Sequence, residues 1–269
     1  KEEESGAVTI ALAEIENPFA PYKGELHLVG SGPGDLKMLT SDSRQALTRC
    51  AAWIGYGPYL NYLESIRGHD QVRIDSQLTF EKDRCQHALD LAKQGVKVAL
   101  ISSGDSGIYG MAGLALELWL NERLDSRPLF EVHPGISSFQ MAAAKLGAPF
   151  MHDFCSISLS DLLTPWNQIE KRIKSAAIGD FVLAIFNPKS IKRDWQLKKT
   201  VDLLLECRNP STPVAIARQL GRPEESIELH TLETLPFDRV DMLTILVIGN
   251  SQSVIKNNKF LTPRGYFSN

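Results

Sequence analysis

The stretch HLVGSGPGD at residues 27–35 decides the fold, because an apolar run stops there on three glycines, a proline and an aspartate. Residues 25–29 read as a strand, and the small residues that follow let the backbone approach a ligand closely. Beyond Asp35, Thr40 or Ser41 is placed to cap a helix that runs to about residue 51. The turn is not the G-x-G-x-x-G of dinucleotide folds: Asp35 stands where the third glycine belongs, and its carboxylate disfavours a phosphate. Nor is it a Walker loop, since no Gly-Lys-Ser/Thr follows.

The same unit repeats outward. Residues 52–55 and 72–75 read as strands, and 79–94 as a helix with Glu81 and Asp83 in its first turn and Gly95 as its left-handed stop. Residues 96–102 form a central strand that ends in a second acidic turn, SSGDSG (102–107), before a helix at 111–121. A strand at 130–133 stops on Pro134-Gly135. This alternation is the mark of an α/β fold with a mainly parallel sheet. A second set follows, with a helix from Ser137 or Ser138 to 146, strands at 155–159, 180–186, 214–218, 226–231 and 243–248, a helix capped by Thr164 with Pro165 at its first position, and a helix at 194–207. The expected organisation is a leader at 1–23, α/β domains at 24–134 and 135–253, and a tail at 254–269.

Composition narrows the function classes. With 269 residues, 43% hydrophobic and 23% charged, the chain can bury a full core and is not disordered. A formal net charge of -3 gives no global positive field to recruit nucleic acid. The longest apolar runs, near 96–101 and 243–248, fall far short of the ~20 residues of a membrane span. The opening KEEES lacks the order of a signal peptide, so a cytoplasmic setting is expected, and the missing initiator methionine fits a piece of a longer polypeptide. The four cysteines form no C-x-x-C pair, and the six histidines never fall at i, i+4 or H-x-H spacing, so no bound metal is expected.

Three loops can carry chemistry. The two acidic turns suit an ammonium or a ribose hydroxyl, though each also reads as a tight turn with a solvated aspartate. The basic loop NPKSIKR (187–193) suits carboxylates, or is a solvated face. His152-Asp153 invites an acid–base reading, but no G-x-S-x-G elbow supplies a nucleophile.

VGSGPGD (29–35), SSGDSGIYGMAG (102–113) and HPGISSFQMAAAKLGAP (133–149) together resemble, in order and spacing, the three signature blocks of the tetrapyrrole methylase family. HDFCSISLSDLLTPW (152–166), FNPKSIKRDWQL (186–197), VDMLTILVIGNSQS (240–253) and TPRGY (262–266) are similar to the precorrin-3B C17-methyltransferase branch of cobalamin biosynthesis. The resemblance covers residues 24–266 and implies a homodimer of chains with two α/β domains of the class III methyltransferase type bracketing a cleft. It implies S-adenosylmethionine (SAM) as cofactor, with S-adenosylhomocysteine as its product, and a tetrapyrrole as the small-molecule partner. Pro33, Ser103, Gly104, Asp105, Ile108, Ser137 and Ser138 fall on the cofactor blocks, with Phe186, Asn187, Arg218 and His230 placed at strand ends lining the same cleft. Gly30, Gly32, Gly34 and Asp35 would face the tetrapyrrole, and Lys189, Lys192 and Arg193 its acetate and propionate arms. Ser106 departs from the family, where proline is common.

The implied reaction methylates C17 of precorrin-3B and contracts the ring, C20 being retained as an acetyl group in precorrin-4. Methyl transfer itself needs alignment and exclusion of water rather than a covalent intermediate. Ring contraction calls for a base and an acid, for which Asp35 and Tyr56 are the candidates, with Asp161 and His152 in reserve. Tyr56 reads equally as a packed aromatic. The alternatives are a cobalt-bearing substrate of the anaerobic route and a non-catalytic tetrapyrrole carrier.

Overall fold

The computed structural model describes residues 23–191 and 193–267, so the expected leader up to residue 22, Lys192 and the last two residues of the expected tail lie outside the described residues. The chain separates into two compact units, one ending at Ser137 and the other beginning at Ser138. Among the described residues, no helix is long and apolar enough to cross a membrane.

Among the described residues, the first unit holds five strands: β1 (Glu25–Gly30), β2 (Ala52–Tyr56), β3 (Val72–Ser76), β4 (Lys97–Ser102) and β5 (Leu129–His133). They form one parallel sheet in the order β3-β2-β4-β1-β5. Its helices are α1 (Ser41–Arg49), α2 (Gly57–Asn61), α3 (Glu81–Lys93) and α4 (Ala112–Asn121). Alternation along the strands builds two cores. Leu26, Leu28 and Ile54 meet Cys85, Leu89 and Ala115 of α3 and α4 on one face, while Val29, Trp53 and Ile101 meet Leu47 of α1 and Leu60 of α2 on the other. Because all five strands point the same way, the loops after β1, β4 and β5, three adjacent strands, open on one edge. Thr40 caps α1, its Oγ1 accepting from Ser43 N at 3.1 Å.

The second unit comprises α5 (Ser138–Leu146), β6 (Gly147–Ala148), β7 (Phe154–Ser158), α6 (Trp166–Ile178), β8 (Val182–Phe186), α7 (Trp195–Leu205), β9 (Pro213–Arg218), β10 (Ser226–Thr231), β11 (Thr244–Ile248), β12 (Val254–Lys256) and β13 (Lys259–Leu261). The main sheet has the order β10-β9-β11-β8-β7, and here the parallel expectation fails: only β7 and β8 pair in parallel, while β9–β10, β9–β11 and β8–β11 are antiparallel. The β9–β10 link carries no helix, and such a short return permits only antiparallel pairing. Ile169, Ile173, Leu197, Val201 and Leu204 of α6 and α7 cover Leu183, Ile185, Val214, Ile216 and Leu246.

Three local expectations also shift. Pro165, not Thr164, precedes the first turn of α6, because its ψ of 141° keeps it extended. Strand β8 begins at Val182 rather than 180, since Asp180 has a φ of 53° and Phe181 N returns to Ala176 O, a left-handed cap that ends α6. The expected tail contains the hairpin β12–β13, turned by Asn257 and Asn258 at φ 49° and 56° and paired through β13 with β6.

Candidate functional site

The candidate residues fall in two groups, one in each unit. In the first unit the ends of β4, β1 and β5 are knotted together by backbone. Gly32 and Gly104 exchange both amide hydrogen bonds, Gly32 N to Gly104 O at 3.0 Å and Gly104 N to Gly32 O at 2.7 Å. Both have left-handed backbones, with φ of 73° and 69°, which glycine adopts without strain. The third loop presses closer: a Cβ on Gly135 would stand 2.0 Å from Gly104 O, and one on Gly30 would stand 2.6 Å from Gly135 N. Asp105 fastens the knot, its Oδ1 accepting from Gly107 N at 2.8 Å and its Oδ2 from Gly135 N at 2.9 Å. Thr40 and Ser43 of α1 donate their hydroxyls to Pro134 O at 2.9 and 3.1 Å, holding the third loop from the other side.

This packing redefines several sequence candidates. The missing side chain of Gly30 faces the backbone of Gly135 and Gly104, so that glycine is demanded by loop approach rather than by a ligand. Both oxygens of the Asp105 carboxylate serve the loop backbone, which makes Asp105 a positioning group first. Ser103, Gly104 and Ile108 stay half-exposed around it, whereas Pro33 and Ser137 are buried. Gly34 lies half-exposed at φ 142°. Asp35 is exposed and accepts from Lys37 N at 2.9 Å, capping a short 3-10 turn. Tyr56 ends β2 half-buried, its ring edge-on to Tyr59 at 5.0 Å. Ser106 is fully buried, and among the described residues its hydroxyl has no hydrogen-bond partner.

In the second unit β7, β8 and β9 point one way, so the loops after Ser158, Phe186 and Arg218 share an edge of the sheet. Asn187 adopts a left-handed backbone with φ 49°, uncommon for a non-glycine residue, and its Nδ2 donates to Ser158 Oγ at 3.0 Å. Ser138 opens α5, whose Phe139 packs against Phe186 at 6.3 Å and against Phe150 and Phe154 at 5.9 and 5.8 Å. Arg218 donates from Nε to Asp241 Oδ2 at 2.6 Å. Burial works against the Asp241 charge, but the bonds from Arg218 and Thr244 outweigh it and hold the carboxyl below its usual range.

Two expectations in this unit are corrected. His230 pairs with Val214 while Arg218 pairs with Ser226, so the two sit at opposite ends of the β9–β10 ladder, about 13 Å apart for four extended residues. His230 does not share an edge with Arg218 and Asn187, because β10 runs against β9; its Nε2 lies 3.3 Å from Glu228 Oε2. The basic loop is not a free cationic face either. Arg193 is 8% exposed and donates from Nη1 to Leu159 O at 3.1 Å and Asn187 O at 2.5 Å, its burial pushing the guanidinium below its ordinary value. Lys189 Nζ donates to Phe237 O at 3.0 Å, and Lys192 lies outside the described residues. The reserves are locally engaged: Asp161 accepts from Gln196 Nε2 at 2.9 Å, and His152 Nδ1 accepts from Asp153 N at 3.0 Å. Sequence reasoning missed Ser158, whose only signal is its place at a strand end, and the hydroxyls of Thr40 and Ser43 on Pro134.

Comparison with known proteins places these loops in context. The family model for tetrapyrrole (corrin/porphyrin) methylases matches residues 25–236. A probable cobalt-factor III C(17)-methyltransferase of Salmonella typhimurium is 44% identical over 241 residues, covering 90% of this chain and 99% of that protein. A precorrin-3B C(17)-methyltransferase of a Sinorhizobium species is 38% identical over 254 residues, covering 90% of this chain and 97% of that protein. Among solved structures, the methyltransferase CobJ superposes with a TM-score of 0.85 at 32% identity, covering 89% of this chain and all of that one.

Proposed function

The chain belongs to the tetrapyrrole (corrin/porphyrin) methylase family, and on that premise we propose that it transfers a methyl group from SAM to C17 of a precorrin-3-type macrocycle in cobalamin biosynthesis, with contraction of the ring. The observation that carries the reading is the knot of three loops at the ends of β4, β1 and β5, built from the three motifs the family resemblance rests on. The residues fit a compact polar cofactor. Gly104 is half-exposed with a left-handed backbone, a Cβ there would only just touch the backbone of Ile136 and Ser137 at 3.7–3.9 Å, and the hydrogen bonds of Asp105 fix the loop beside it. SAM, when bound, supplies a methyl group already activated on sulfur.

The work left to the protein is placement. Ser103, Gly104, Asp105 and Ile108 are the proposed cofactor residues of the first unit, and Phe186, Asn187 and Arg218, on the loop edge of the second unit's own sheet, are the candidates there. Gly32, Gly34 and Asp35 are the proposed macrocycle contacts. In-line approach of C17 at roughly 3–3.5 Å, with water excluded, supplies up to about 7–11 kcal/mol of the barrier. A bonded backbone knot keeps that geometry without reorganisation during reaction. For ring contraction Asp35, exposed on the loop after β1, is the proposed base, and Tyr56, at the end of β2, the proposed acid. Arg193 acts one step removed: by holding the carbonyls of Leu159 and Asn187 it fixes the loop after β8. A cytoplasmic homodimer completes the reading, and light scattering on the purified chain tests the dimer.

The experiment is incubation with methyl-labelled SAM and either precorrin-3B or cobalt-factor III, followed by mass and absorbance. One labelled methyl with the spectral change of ring contraction, on one of the two macrocycles, is expected. Binding of S-adenosylhomocysteine with no label on either would overturn the C17 assignment and leave a carrier.

A further inference from the structure

A chain of four side chains links α1 to the β1–β5 edge of the first sheet. Glu25 Oε2 lies 2.8 Å from His27 Nε2, His27 Nδ1 lies 2.9 Å from His133 Nε2, and His133 Nδ1 lies 2.8 Å from Asp42 Oδ2. An ionised carboxylate only accepts, so each outer nitrogen carries the hydrogen: His27 donates from Nε2 and His133 from Nδ1. In neutral imidazoles this leaves a lone pair on His27 Nδ1 and another on His133 Nε2, facing each other at 2.9 Å. Glu131 Oε2 adds a third electron-rich atom, 3.4 Å from His27 Nδ1 and 3.7 Å from His133 Nε2. Something positive belongs among these three atoms, either a proton or a metal cation.

The dimensions favour the cation. The point equidistant from the corners of that triangle lies about 2.0 Å from each, which is the bond length of Zn²⁺ to imidazole nitrogen and carboxylate oxygen. An ion lifted out of the plane of the three atoms, with bonds of about 2.1 Å, meets ligand–metal–ligand angles of roughly 90–120°, compatible with tetrahedral coordination and one remaining position for water. The outer contacts to Glu25 and Asp42 are the carboxylate–histidine pairs that orient metal-bound imidazoles. His27 is fully buried and His133 is 7% exposed, whereas the Glu131 side chain is 42% exposed on the edge strand β5 and opens a way in.

We propose that His27, Glu131 and His133 form a binding site for a divalent transition-metal ion of the zinc class, clamping β1 to β5 one residue before the Pro134–Gly135 turn. No H-x-H or helical spacing announced it, because the ligands come from two strands that pair His27 with Glu131 and Val29 with His133. The trace in the sequence is an acidic-x-His step on each strand, at 25–27 and 131–133.

The test strips the full chain with a chelator and titrates it with Zn²⁺ against a chromogenic competitor. One Zn²⁺ per chain is expected, with a higher melting temperature when loaded and an X-ray absorption first shell of nitrogen and oxygen at about 2.0–2.1 Å. Glu131→Gln, at a half-exposed position, is expected to weaken binding at least about 10-fold, and Asp42→Asn about 10-fold through its histidine. His27→Gln should abolish uptake, with circular dichroism checking that it folds. Sulfur in the first shell, unchanged affinity in Glu131→Gln, or no stoichiometric uptake by the folded wild-type chain would each overturn the proposal; the last would leave one shared proton as the bridge.

Discussion

Gly135→Ala tests whether the loop knot shapes the site. The added Cβ would stand 2.0 Å from Gly104 O, 2.7 Å from Gly30 C and 2.8 Å from Gly30 O, all backbone atoms with no rotamer to yield. Restoring ordinary contact requires the loops to part by more than about 1 Å, because overlap of this kind is relieved only by backbone shift. Gly104 O accepts from Gly32 N at 3.0 Å, and Gly135 N donates to Asp105 at 2.9 Å, so parting breaks both. Overpacking of about 1–3 kcal/mol and two bonds of about 1 kcal/mol each give a loss of roughly 3–5 kcal/mol. For a protein of this size that lowers the melting temperature by roughly 6–20 °C. A displacement of ~1 Å is also expected to weaken catalysis about 100-fold. The assay pairs thermal unfolding with calorimetric binding of S-adenosylhomocysteine. Gly113→Ala is the control: nothing lies within 4 Å of its added Cβ, it is exposed on α4, and it should gain about 0.5–1 kcal/mol. If Gly135→Ala melts and binds as the parent does, the knot does not set the site and the argument fails.

Four further outcomes follow from local chemistry. Ser106→Ala removes a fully buried hydroxyl that has no partner among the described residues, and is expected to raise stability by about 1 kcal/mol in urea denaturation. Arg193→Met strands the carbonyls of Leu159 and Asn187 and should lower stability by about 2–4 kcal/mol, seen in the same denaturation assay. Bonds from Arg67 and Arg73 hold the Glu64 carboxyl at about 2 against an ordinary 4.5, so its contribution is complete above pH ~4.5 and is lost as pH falls toward 2. Since the side chain is 43% exposed, Glu64→Gln should only slightly flatten the acid limb of the melting curve. Burial pushes the Cys50 and Cys85 thiols up to about 12 and 11, so a disulfide reagent at pH 8 should label exposed Cys207 first and leave those two untouched until the chain unfolds.

What the sequence disclosed and what it hid divide along one physical line. The glycine turns at 30–35 and 102–107 were readable because their information is local: small residues at a strand end permit positive φ whatever surrounds them. The strands of the second unit were also readable as strands, but their direction was not. Direction is set by the connection, and β11 inserts antiparallel between β8 and β9 from far along the chain. The hairpin of β12 and β13 did carry a local signal, the Asn257-Asn258 pair, though it was submerged in an otherwise featureless tail. Charged side chains show the limit most clearly. Arg193 and Lys189 were visible as cations, yet the carbonyls they bind belong to residues 159, 187 and 237, which only the assembled fold delivers. The same holds for His27 and His133, 106 positions apart in sequence and 2.9 Å apart across two strands. Motifs in this chain therefore announce where the backbone bends toward a ligand, and tertiary pairing decides which polar groups there remain available to it.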